Sequence, residues 1–229
     1  MHSIQYQNAA SLASERSEFI RKVYMNLALG FAGFIALEAF LVSWQPAVDL
    51  AQKMVSGNNW LITLLAFMGV SWLANSWAIT GATLGKQYAG FALYIIAEAV
   101  IFLPLIIFAN SFAPDTIPQA GIITAALTAG ISAYAFFSKK DFSFMGSFLT
   151  IASFVALGII ACAILFGIQL GLWFSAAMIV FAGLVILYQT SVMIRRYRND
   201  QYVAAALGLF AAIALMFWYI LQFLISSRR

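Results

Sequence analysis

Seven stretches of this 229-residue chain are each apolar over close to the ~20 residues that a helix rising 1.5 Å per residue needs to cross a ~30 Å hydrocarbon core. They cover 23–44, 60–79, 88–109, 120–137, 142–166, 172–194 and 202–225. Barrel strands would be about ten residues of alternating polarity, so these runs read as helices, whose backbone hydrogen bonds are all internal. The predicted fold class is all-α integral membrane, with seven transmembrane helices. Only 9% of the residues are charged against 64% hydrophobic, far below the roughly 25% charged that a soluble domain carries. The connections are short. The longest, 45–59, holds Pro46, Gly57, Asn58 and Asn59, and 110–119 holds Pro114, Asp115 and Pro118; both read as turns. Residues 1–21 are polar and contain no short apolar core ending in a cleavage site. They are expected to form a cytoplasmic N-terminal tail, with 22–229 a single seven-helix domain.

Lysine and arginine placement orients the bundle. Arg16, Arg21, Lys22, Lys86, Lys139, Lys140, Arg195, Arg196 and Arg198 fall on the side of the N-terminus, nine residues, against Lys53, Arg228 and Arg229, three, on the other. That asymmetry places the N-terminus in the cytoplasm and, after seven crossings, the C-terminus outside; the Arg228-Arg229 pair is the weak point, since it would favour a re-entrant last helix. Trp44, Trp60, Trp77 and Trp173 lie near predicted span ends, where amphipathic rings favour the headgroup level. The basic excess, 12 against 8, is thus topological and does not point to nucleic acid, since no solvated basic domain exists to bind it.

Two glutamates, Glu38 and Glu98, sit inside apolar runs that hold no basic residue to neutralise them. A carboxylate at the bilayer midplane costs on the order of 3 kcal/mol on the mildest insertion scale, so such groups face a cavity, a partner or an ion. Glu98 is near the middle of its run and has Pro104 six residues later, a residue that frees a carbonyl one turn back and bends helices lining cavities. Glu38 lies roughly 8 Å toward the outer face, where hydration would explain it. Both are candidate cation or proton sites. The alternative for Glu98 is a protonated carboxyl hydrogen-bonded to a neighbouring helix. Thr124, Thr128 and Ser132 recur every four residues, as do Ser71 and Asn75; such stripes read as helix packing.

Several classes are excluded by residue type. The last run holds no lysine for a retinal Schiff base, and no aspartate lies in any run, so intramembrane aspartyl proteolysis has no dyad. His2 is the single histidine and Cys162 the single cysteine, too few for a ligand cluster. No enzymatic activity, cofactor or metal is expected.

The loop Lys139-Lys140-Asp141-Phe142-Ser143-Phe144, with Ile186-Leu187-Tyr188-Gln189-Thr190-Ser191 and Ala206-Leu207-Gly208-Leu209-Phe210, resembles the signature segments of the Bax inhibitor family, including its YccA-like bacterial branch. Tyr94-Ile95-Ile96-Ala97-Glu98 is a looser match. The resemblance implies a central seventh helix surrounded by two three-helix layers. It also implies a function at two levels: a pH-sensitive calcium leak in some members, and modulation of a membrane-anchored ATP-dependent protease or a stress response in others. The leak is tied in the family to paired aspartates on the sixth and seventh helices, and those positions are Gln189 and Ala212 here. A coupled carboxylate pair titrates near neutrality; glutamine and alanine do not. The resemblance therefore favours a multi-pass regulatory protein of a bacterial inner membrane, its C-terminus expected in the periplasm, engaging a membrane protease or other integral partner, with a calcium or proton leak through Glu98 as the alternative.

Overall fold

The computed structural model describes residues 2–79, 83–138 and 140–228, with side chains from Ser14 onward; Lys139 of the signature loop and the terminal Arg229 lie outside the described residues. Among the described residues the chain folds as α1 (His2–Ser43), α2 (Gln45–Met54), α3 (Asn59–Ile79), α4 (Leu84–Phe112), α5 (Thr116–Phe137), a 3₁₀ turn (Ser143–Met145), α6 (Gly146–Phe166), α7 (Leu172–Arg195) and α8 (Tyr202–Ser227). Seven of these, all but α2, are long and apolar enough to cross a membrane.

The segment expected to be a turn between the first two spans is instead the ten-residue helix α2. Pro46 stands in its first turn, where its missing N–H would have had no helical partner, so proline starts this helix rather than breaking it. Ala47, Ala51 and Met54 are its buried residues, a spacing of four and three that puts them on one face, and α2 packs on α1 and α4. The turn residues Gly57 and Asn58 follow α2, and Gly57 takes a positive φ of 57°.

Across the seven spans burial is uneven. In α8, 72% of the most apolar window is buried, against 17% in α6 and 11% in α3. α8 packs against α1, α3, α4, α5 and α7, and its buried residues include the alanines Ala204, Ala205, Ala206, Ala212 and Ala214. Small side chains let helix axes approach closely where lipid supplies no hydrophobic drive for association. The outer faces carry large apolar side chains such as Ile62, Trp72, Phe154 and Val180, as a lipid-facing surface requires. α8 runs unbroken from one bundle face to the other, and the Arg228 guanidinium near its end donates to Gln119 Oε1 at 3.1 Å.

The polar stripes divide. Thr124 and Ser132 are buried, while Asn75 is exposed. α1 continues without a break from the polar N-terminal residues into the first span. Its Arg16 guanidinium donates to the carbonyls of Met193, Ile194 and Tyr197 and to Asn199 Oδ1, over the Phe19 ring at 4.3 Å. A cation placed on the last carbonyls of α7 satisfies acceptors that have no partner within the helix and opposes the helix dipole.

Candidate functional site

The site begins with one turn of α4. Tyr94 and Glu98 are four residues apart, hence on one helix face, and the Tyr94 hydroxyl donates to Glu98 Oε1 at 3.2 Å. Both are buried; Glu98 is 5% exposed. It does not face lipid: it lines a cavity of about 710 Å³ whose wall is contributed by α3, α4, α6, α7 and α8. Pro104 lies within α4 and the helix continues through it to Phe112, so the carbonyl of Val100, two residues after Glu98, lacks its usual donor.

Gln189 and Ala212, the substituted positions, line this same cavity. α4 brings Glu98 to the wall that α7 and α8 share, so the intramembrane acid and the two substituted positions line one space. Gly208 makes the arrangement possible. A Cβ there would stand 2.9 Å from Gln189 Oε1, so glycine leaves room for the Gln189 side chain against α8. From Gly208, six residues into α8, the cavity runs along that helix to Gln222 and Ser226, a length of roughly 27 Å at helical rise. Ile168 and Trp60 line its far end, close to the bundle face opposite Arg16.

Glu38 differs from the expectation of a hydrated carboxyl near the outer face. It is buried, and neither carboxylate oxygen has a hydrogen-bond partner among the described residues. It does not line the cavity. The packing of the first span encloses it where depth along the helix alone would have left it wet.

The signature loop forms a latch away from the cavity. Asp141 Oδ1 accepts from the Ser143 backbone N–H at 2.9 Å and from its hydroxyl at 2.6 Å. The Phe142 N–H donates to Ser191 Oγ at 3.0 Å, and the Ser191 hydroxyl donates to Asp141 at 3.3 Å. Arg196 donates to Ser143 Oγ at 3.0 Å and stands 3.6 Å from Asp141, while Arg195 donates to the Lys140 carbonyl at 3.1 Å. The Ser143 hydroxyl and N–H, with Arg196 behind them, hold the Asp141 carboxyl below its ordinary range. Phe144 is exposed, outside the bundle. The loop thus ties the start of α6 to the end of α7, and none of its described residues lines the cavity.

Sequence reasoning missed Tyr94 as a partner, although its spacing of four from Glu98 was available, and missed the aromatic wall formed by residues such as Trp60, Phe102 and Trp218, which nothing local signals. It also missed the Arg16 clamp, whose partners lie 177 to 183 residues away.

The model of the family described as "Inhibitor of apoptosis-promoting Bax1" matches residues 16–229. An uncharacterized protein of Pseudomonas aeruginosa is 29% identical over 234 residues, 97% of this chain and 96% of that protein. An uncharacterized membrane protein of Vibrio cholerae is 35% identical over 204 residues, covering 86% of this chain and 78% of its own. The Golgi anti-apoptotic protein of vaccinia virus is 28% identical over 225 residues, 93% of this chain and 87% of that protein.

Proposed function

The chain belongs to the Bax inhibitor family, and we propose that this member is a non-enzymatic multi-pass membrane protein that lets a small cation leak across the bilayer through the cavity at Glu98. One observation carries the reading: the acidic side chain of that cavity is buried mid-span, partnered by a tyrosine hydroxyl, and reached along a void that continues to the opposite bundle face. Between the two ions the sequence left open, the chemistry favours the proton. Calcium takes six to eight oxygen ligands, whereas the inner end of the cavity offers one carboxyl, the Tyr94 hydroxyl and the Gln189 amide. These suffice to receive and pass a proton. Without an aspartate pair at Gln189 and Ala212, the family's coupled pH switch has no counterpart here.

The expectation of a membrane-protease partner rests on the resemblance alone; crosslinking and pull-down from native membranes test it separately. For the leak, the full chain is reconstituted in liposomes with a proton- or calcium-sensitive dye inside. Wild-type protein is expected to dissipate a proton gradient faster than empty liposomes, and Glu98→Gln to bring the rate back to the empty level. Equal rates for wild type, variant and empty liposomes refute the reading.

A further inference from the structure

The cavity carries more aromatic surface than a small inorganic ion can use. Trp60 and Trp218 stack at 6.1 Å, Phe102 meets Trp218 edge-on at 4.9 Å, Phe67 lies 6.2 Å from Tyr94, and Phe174 packs edge-on to Tyr219 at 6.0 Å; all these rings belong to its wall. No lysine, arginine or histidine does, and Glu98 is its one acidic side chain among the described residues. The volume, about 710 Å³, lies within the range of sites that enclose drug-sized molecules. Aromatic faces attract cations most strongly where water is excluded, and a buried carboxyl with no basic neighbour keeps its proton until a cation arrives to pair with it, when the proton leaves and the carboxylate becomes the counter-charge.

Access points the same way. α6 buries only Leu149 and Ala163 and approaches α3 and α7, with α4 and α8 across the cavity from it. A wall helix held this lightly adjoins the bilayer, where lipophilic cations concentrate.

We propose that the cavity between α3, α4, α6, α7 and α8 is a binding site for a lipophilic organic cation, whose apolar body occupies the aromatic wall around Trp218 and Phe102 and whose charge is met by Glu98. This rests on the same exposure of Glu98 to the cavity as the proposed leak, and not on conduction itself.

The test is equilibrium binding of radiolabelled tetraphenylphosphonium to the full chain in lipid nanodiscs, with empty nanodiscs as background. Saturable binding is expected. Glu98→Gln should weaken it by at least about tenfold through loss of the counter-charge, and Trp218→Ala by about tenfold through loss of the ring face. Tetraphenylborate, of nearly the same shape but opposite charge, should not compete, a control that requires no variant to fold. Absence of saturable binding, unchanged binding in Glu98→Gln, or equal competition by tetraphenylborate overturns the proposal. The liposome assay separates it from the leak: binding without a leak leaves this site standing and removes the conduction reading, and a leak without binding does the reverse.

Discussion

Glu98 and Glu38 are the same residue type in neighbouring apolar helices, and what distinguishes them is what each oxygen touches. Glu98 has a tyrosine donor and a cavity beside it; Glu38 has neither. An unsatisfied buried polar group costs about 1–3 kcal/mol, so Glu38→Leu is expected to stabilise the fold by that order, measured by thermal unfolding in detergent. A destabilised variant would mean that Glu38 holds an ion or a water. The glycines make a similar contrast. A Cβ at Gly90 would lie 2.6 Å from the Ala74 carbonyl oxygen of α3, a backbone atom that moves only with its helix. Gly90→Ala should therefore cost about 1–3 kcal/mol by overpacking. At Gly208 the obstacle is the end of the Gln189 side chain, which can swing aside; Gly208→Ala should leave thermal stability within about 1 kcal/mol of wild type and change the leak rate instead.

Among the elements, α6 depends most on something outside itself. With little of its own surface buried, its position rests on the Asp141–Ser143–Ser191–Arg196 latch at its start. Asp141 is held below its ordinary range, first by the Ser143 hydroxyl and N–H and then by Arg196. A carboxylate so depressed contributes stability that is fully present above its unfolded pKa, about 3.9, and is lost as pH falls through the lower folded value. Protection of the Phe142 amide against hydrogen exchange should thus be flat from about pH 8 to 5 and collapse only below about pH 4. Asp141→Asn should reduce protection throughout and remove that dependence. A loss of protection between pH 7 and 6 would contradict the assignment. The α2 helix teaches the same lesson at element scale: its 47, 51, 54 spacing was legible, but Pro46 and the glycine-asparagine run at its end drew attention to turns.

For the molecule as a whole, the basic residues make a topological prediction. A reporter fused after Arg229 should read as periplasmic in a bacterial host, and a cytoplasmic signal would refute the orientation. The number and type of the crossing helices were determined by the sequence alone, because hydrocarbon leaves an unpaired backbone no alternative to helix; α3, expected over 60–79, is observed at Asn59–Ile79, whereas α1, expected from 23, begins at His2. The intramembrane acids and the glutamine and alanine at the family's paired positions were likewise readable. Which helix is enclosed could not be read from hydropathy, and only the family resemblance singled out the seventh span: α6 has the highest mean hydropathy of the seven and is among the least buried, while α8 is the most buried. Lipid is as apolar as a protein core, so hydrophobicity cannot sort inside from outside here as it does in water. Only the packing decided that Glu98 meets Gln189 and Ala212 across one aromatic cavity, and that Glu38, one helix away, is closed in without a partner.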